Sequence, residues 1–317
     1  MIENKNRKMK FRAHETFFIR KGWLSKGMKY VQQTNGDVFI SKTENPVDVL
    51  GLGTNMVKAL RYWLQVVGLT EEDSKTRKQK LSEIGTVIFE KDRYLEEIGT
   101  LMLLQYKLAT NSEKATSWWY FFNYFNQMEF DANDFVIEIS KWIKNENNEE
   151  EDVSKKIRSL TDDFNCIINT YFSKTNSTDK SPENNIDCPF VELGLIGTGS
   201  KPKTFRKKTP LVEYFNPYIT LALIIDFSKN KLGGKSEIQL NSLLQNENSI
   251  GKGFNLDSIS LIEILRKVEK IGELKIIRTA GLDVIQIANP EKTFLDCIKK
   301  YYKELSSNIG ESKWVKW

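Results

Sequence analysis

The chain has 317 residues, 40% hydrophobic and 28% charged, with a net charge of +5. That length sets two domains as the expectation, and the composition is that of a soluble globular protein. A single histidine, His14, excludes any site that needs two, and three cysteines without paired spacing (Cys166, Cys188, Cys297) exclude a zinc or disulfide framework.

The charge is unevenly spread. Residues 1–80 hold 16 Lys and Arg against 8 Asp and Glu, or +8, which leaves −3 for the remainder. A basic N-terminal part on a slightly acidic body implies an anionic partner for that part. The N-terminus is polar with no apolar run, and the longest apolar stretch, residues 219–227, is far short of a membrane span. No membrane partner and a cytoplasmic location are therefore expected.

In chain order, residues 1–10 read as a flexible basic arm. Trp23, Leu24, Met28 and Val31 form a helical apolar stripe that ends at Asn35-Gly36-Asp37. Pro46 opens a short helix closing at Leu50. Gly51 supplies a left-handed residue and Leu52 fills the turn. Thr54 then serves as the cap of a helix from Asn55 onward. In that helix Met56, Val57, Leu60, Trp63 and Leu64 fall inward, leaving Asn55, Lys58, Arg61 and Tyr62 outside. This is the pattern of a helix-turn-helix whose second helix meets a DNA major groove. An ordinary amphipathic helix after a glycine turn has the same pattern. Gly68-Leu69 closes the helix. Residues 71–80, with Lys75, Arg77, Lys78 and Lys80, are either a wing or a solvated loop, and the preceding Glu71, Glu72 and Asp73 favour the loop.

A buried helix is expected from Leu95 to Leu108. The run from Trp118 to Phe125 is core and not a base-stacking surface, because no Lys or Arg interleaves its aromatics. A helix capped by Asp131 follows to Lys144. Residues 145–152 are the best boundary, a helix resumes over 153–172, and residues 173–185 read as a linker. The basic cluster at 201–208 is a charged loop, with phosphate binding as its alternative. The last third gives helices over 218–227 and 236–244 and a third capped by Asp257. Strands over 273–279 and 282–288 form a hairpin, and a terminal helix runs from Pro290 to about Tyr302. The would-be reading helix after Asp257 mixes acidic and basic residues, which suits protein contact better than DNA. The fold class is thus mainly α with small β-hairpins, as two winged-helix-like domains joined by helical segments. The domains are an arm (1–10), an N-terminal domain (11–144), a boundary with one helix (145–185) and a C-terminal domain (186–317).

Three blocks carry a family resemblance: Arg12-Ala13-His14-Glu15-Thr16-Phe17 with Arg20 and Gly22-Trp23-Leu24; Leu50-Gly51-Leu52-Gly53 with Asn55-Met56-Val57 and Arg61-Tyr62-Trp63; and Asp187-Cys188-Pro189-Phe190 with Glu192-Leu193-Gly194-Leu195-Ile196. Together they resemble the bacterial family called domain of unknown function 4007. Its members are often encoded beside sulfurtransferases similar to phosphoadenosine phosphosulfate reductase, and beside ATPases of phosphorothioate DNA modification. The resemblance implies a DNA-associated role in modification or defence. Two positions depart from the family pattern: Thr54 stands where a Lys is usual, and Gln105 where a His tends to follow Leu103-Leu104.

Chemistry has few starting points. His14-Glu15 is the one place for acid–base work, but nothing at helical or strand spacing accompanies it, so a structural role is the expectation. Residues 194–200 are Gly-rich but lack a phosphate-loop ending. Cys188 is a carrier of transferred sulfur only if the family's neighbours are taken as a guide; an apolar Cys-Pro reads first as a buried thiol. The expectation is therefore a non-enzymatic protein with no metal and no cofactor that binds duplex DNA through Thr54, Asn55, Lys58, Arg61 and Tyr62. Arg12, Arg20, Lys21 and Lys26 add phosphate contacts. Proteins of a modification or restriction complex and a second copy of the chain are the other expected partners. The alternatives are an adaptor without DNA contact and a sulfur-transfer accessory.

Overall fold

Glycine and proline punctuation sets the first helical unit. In the computed structural model, which describes residues 8–146, 153–173, 188–279 and 282–312, α1 (Trp23–Gln33) follows Gly22 and buries the expected stripe of Trp23, Leu24, Met28 and Val31. α2 (Pro46–Leu50) has proline in its first turn, an Asn45 side chain that accepts from the Val47 amide, and Gly51 at φ 60° behind it. α3 (Thr54–Val66) starts one residue earlier than expected. Gly53, in extended conformation, takes the cap position, and Thr54 lies exposed in the first turn.

A larger correction concerns Tyr62, which is buried and not on the outer face. α3 is covered on two sides, so Ala59, Tyr62 and Val66 are enclosed together with the inward row of Val57, Leu60, Trp63 and Leu64, while Met56 is half-buried. The Trp63 indole donates to the Phe17 carbonyl at 2.8 Å, tying α3 to the N-terminal turns.

Residues 71–80 form a hairpin and not the loop expected. β1 (Thr70–Glu72) pairs antiparallel with β2 (Gln79–Leu81), in a two-stranded sheet. Asp73 Oδ1 accepts from the Lys75 and Thr76 amides and shapes the turn. The charge run misled because Glu72 points inward, 7% exposed at its side chain, where two arginines meet it. Gly36 holds β2 against the end of α1: its carbonyl accepts from the Gln79 amide at 3.2 Å. Its φ is +86°, and an added Cβ would stand 2.2 Å from the Gln79 carbonyl oxygen. Gly22 shares the left-handed conformation (φ +83°) but has nothing within 4 Å of such a Cβ. Gly22→Ala is expected to cost about 1 kcal/mol, the conformational part alone. Gly36→Ala must also move a strand, and a urea midpoint should place it at least about 1 kcal/mol below Gly22→Ala. Equal costs would show that Gln79 does not pack as described.

α4 (Glu83–Lys91) leads to α5 (Ile98–Ala109), which Leu95 precedes at φ 58° and does not begin. α6 (Thr116–Asn123) carries the aromatic run into the core as expected, with Trp118 through Phe122 and Phe125 buried and only Tyr124 exposed. β3 (Glu129–Phe130) precedes α7 (Ala132–Glu146), where Asp131 Oδ1 accepts from the Asn133 and Asp134 amides. A 3-10 turn (Val153–Lys156) runs into α8 (Ile157–Tyr171). β4 (Ile196–Thr198) and β5 (Phe205–Lys207) complete a sheet of order β3-β5-β4, so the basic cluster at 201–208 ends in a strand. Much of the expected boundary, residues 147–152 and 174–187, lies outside the described residues, as do residues 1–7 and the Ala280-Gly281 turn.

The last third is α9 (Pro217–Lys231), β6 (Glu237–Gln239), α10 (Leu240–Gln245), α11 (Ile250–Gly253), α12 (Ser258–Lys270), β7 (Leu274–Thr279), β8 (Leu282–Ile287) and α13 (Phe294–Ser312). The single helix expected over 236–244 divides because Ile238 pairs with Ile285 in the sheet of order β6-β8-β7 before the chain turns helical. Asp257 caps α12 through the Ser260 amide as expected. α13 begins at Phe294 and not at Pro290, because Thr293 and Asp296 cap each other's amides there. The third nearest the N-terminus is bonded to the last third. Gln105 Nε2 donates to the Gly253 carbonyl, Tyr106 to that of Asn248, and Lys107 pairs with Asp226 at 3.0 Å. The buried apolar side chains form one continuous cluster from Ile19 to Tyr302. Among the described residues no helix is long and apolar enough to cross a membrane.

Candidate nucleic-acid interface

Four segments enclose a groove of about 420 Å³ beside α3. The outer edge of the helix supplies Lys58 and Arg61, the β1–β2 hairpin Arg77, the connection between α5 and α6 Lys114, and the N-terminal segment Lys8 and Lys10. Glu72 and Glu113 are the two carboxylates on its walls. The expected free arm is therefore partly a wall: the Lys10 amide donates to Thr116 Oγ1 at 2.8 Å, and Met9 packs against the core.

The cations differ in how they are held. Glu72 receives Arg61 through both Nε and Nη2 at 2.9 Å, Arg77 at 2.8 Å, and the Gln65 amide at 3.1 Å. Arg61 Nη2 also donates to the Arg77 carbonyl. A half-enclosed arginine pair around one carboxylate is a fixed, still positively charged plate. Lys58 and Lys114 are held only loosely, to Asn55 Oδ1 at 3.3 Å and Gln65 Oε1 at 3.2 Å. Burial, followed by repulsion from Lys114, lowers the Lys10 pKa, while Glu72 acts in the opposite direction. Cations crowded enough to weaken one another's protonation gain from an anion between them.

Of the residues named from sequence, Lys58, Arg61 and Tyr62 share this groove, but Tyr62 is its floor. The phenol donates to the Lys114 carbonyl at 3.0 Å, and burial, with the Asp163 charge second, raises its pKa. Thr54 and Asn55 are exposed at the α3 N-terminus. The others lie elsewhere. Arg12 binds Asp162 at 2.7 Å. Lys26 donates to the Leu50 carbonyl at 3.1 Å, at the end of α2. Arg20 and Lys21 line a separate cavity of about 280 Å³ with Tyr94 and Glu192. Lys8, Lys10, Arg77 and Lys114 are not among the contacts expected from sequence. Arg77 was visible in the basic run, and the arm lysines in the N-terminal charge. Nothing local marks Lys114, which sits about fifty residues beyond the helix it joins.

His14 is fully enclosed against Trp63 and Trp118, with ring centroids 6.0 and 5.4 Å away. Its Nδ1 accepts from the Thr16 amide, so Nε2 carries hydrogen and donates to Asp163 Oδ1 at 2.7 Å. Both nitrogens are occupied, and the imidazole has no lone pair to offer a substrate. Cys188 is 1% exposed and Cys166 2%. Burial drives the Cys166 thiol pKa well up, and a buried thiol is a poor nucleophile. Among the described residues no group of three His, Cys, Asp or Glu stands where it could hold a metal ion. Gln105, at the position where the family tends towards His, is buried and accepts from the Tyr171 phenol.

Comparison with curated proteins finds no match. Two solved structures share the fold: SspB with a bound magnesium ion (TM-score 0.79) and SspB (TM-score 0.78). Each is 24% identical to this chain, over 92% of it and 88% of the other. The profile of the family described as protein of unknown function DUF4007 matches residues 11–302, nearly the whole chain, and the protein belongs to that family.

Proposed function

We propose that this protein binds duplex DNA along the groove beside α3, as an accessory of a bacterial DNA modification or defence system of the phosphorothioation type. The observation that carries the reading is the convergence of Lys8, Lys10, Lys58, Arg61, Arg77 and Lys114 from four segments on one open groove. Cations gathered from distant parts of the chain answer a polyanion better than isolated surface charges do. The order α2, glycine turn, α3, hairpin reads as a winged helix-turn-helix. Asn55 and Lys58 then face base edges or adjacent phosphates, and Arg77 is the wing's phosphate contact. With Tyr62 buried and Arg61 held on Glu72, phosphate contact outweighs base reading. The protein acts here as a binding module and not as a catalyst.

Titration of a labelled duplex against salt tests this. Lys58→Glu/Lys114→Glu alters two loosely held lysines and leaves the Glu72 cluster alone. The double variant should lower the log–log salt slope by about two units and weaken binding at least about tenfold near 0.1 M salt. Unchanged slope and affinity in a variant with wild-type melting would remove the groove from the interface.

The adaptor reading has its own observation in α12. Ile259 is 71% exposed, beside a mixed face on which Lys267 and Glu269 are occupied by the Val212 carbonyl and the Ile276 amide. An exposed apolar side chain on a face where Glu263, Arg266 and Lys270 mix both signs suits protein contact better than a polyanion. It is compatible with DNA binding at α3.

A further inference from the structure

A second basic site lies at the junction of β5, α6 and α11. Lys207 ends β5 and sends its amine against the end of α6, where it donates to the carbonyls of Phe121 and Phe125. The amine lies 4.5 Å from the Phe121 ring centroid. Two of its three hydrogens are thereby used, and Lys207 lines a cavity of about 170 Å³. Lys252 lines the same cavity, whereas the Lys208 side chain, on the opposite face of β5, lies across Gly197 and reaches the cavity only at its edge. No Asp or Glu lines it, and no carboxylate among the described residues pairs with any of the three lysines. Lys252 is held only by Asn126 Oδ1 at 3.3 Å.

Capping the end of α6 explains why an amine touches those two carbonyls. It does not explain why a second lysine, Lys252, stands at the same small space without a counter-charge. Burial, and then the Lys252 charge, bring the Lys207 amine down to about 7, the response of an ammonium group enclosed without an anion. Asn126, Gln245 and Asn255 supply neutral amides around the rim, and Phe125, Met128 and Leu256 the apolar wall. The volume is below the roughly 300 Å³ at which sites for larger organic ligands begin.

We propose that this cavity binds a small oxyanion, a phosphate-type group gripped by Lys207 and Lys252. The site is separate from the α3 groove and does not depend on the DNA-binding reading. The anion completes the hydrogen bonding of Lys207 and offsets its repulsion with Lys252.

Thermal unfolding of the full chain with inorganic phosphate, against chloride at matched ionic strength, tests the assignment. Phosphate at about ten times its dissociation constant should raise the midpoint by roughly 2–4 °C. Lys252→Gln, which leaves the α6 cap in place, should lose most of the shift, as should Lys207→Met where it folds. Lys58→Glu/Lys114→Glu should keep it. A 5′-phosphorylated trinucleotide that protects more than its 5′-hydroxyl form places the group at a nucleic-acid end; equal protection by the two forms, with phosphate still active, makes it a free ion. No phosphate-specific shift in the wild type, or a shift retained in full by Lys252→Gln, overturns the site.

Discussion

Asp163→Ala is expected to destabilise the protein by about 3–5 kcal/mol, the cost of removing one partner from a buried charged network. Asp163 is 1% exposed and receives three hydrogen bonds: from His14 Nε2 at 2.7 Å, the Arg12 amide at 2.9 Å and the Ser117 hydroxyl at 2.6 Å. These donors come from the N-terminal turns and α6, and Asp163 itself sits on α8. Alanine leaves all three without an acceptor, and two of them, His14 and Ser117, are closed to water. His14 cannot recover by turning over, because its Nδ1 is bound to the Thr16 amide. The consequence extends to the groove, since His14 stacks on Trp63 of α3 and Trp63 meets Trp118 of α6 edge-on at 5.2 Å. Asp163→Asn separates charge from shape. Its oxygen still accepts from His14 and the Arg12 amide, and the Ser117 hydroxyl can rotate to accept from the new amide. Its cost should be about 1–2 kcal/mol. Denaturant unfolding of both variants decides the matter, and an alanine variant within about 0.5 kcal/mol of wild type would show that the network contributes little.

Glu72→Gln should change stability and DNA affinity in opposite directions. The carboxylate gathers Arg61, Arg77 and Gln65 under the groove. Arg61 is 23% exposed at its side chain and Arg77 63%. Water therefore screens part of the loss, and the cost falls near the lower end of the buried-pair range, about 3 kcal/mol. The substitution also removes one negative charge from the groove. At about 8 Å and an effective dielectric near 40, a unit charge is worth roughly 1 kcal/mol against a phosphate, or about fivefold tighter binding at low salt. Duplex titration beside a denaturant melt reads both effects. Weaker DNA binding by a folded Glu72→Gln protein would mean that the arginine plate matters as a fixed geometry and not as charge.

Local chemistry made much of the helical scaffold legible. The apolar spacing of α1, the Pro46 opening and Gly51 end of α2, and the Asp131 and Asp257 caps all act within one turn of chain. The same reading erred where a distant segment covers a helix. Tyr62 has the spacing of an outer residue, yet the connection after α5 closes over it. Glu72 belongs to a charge run that reads as solvated, yet a hairpin turns it inward.

The sequence by itself determined that the chain is mainly helical, that its aromatic run is core, and that its first 80 residues carry the positive charge. It also singled out Lys58 and Arg61 as neighbours on one helix edge. Only the tertiary structure decided which cations meet. Arg12 and Lys26 are occupied internally, Arg20 and Lys21 face another cavity, and Lys10, Arg77 and Lys114 arrive from separate segments to join Lys58 and Arg61. The reason is physical: helical periodicity specifies which side of a helix a residue occupies, whereas the potential at a groove sums charges over several ångströms without regard to chain order.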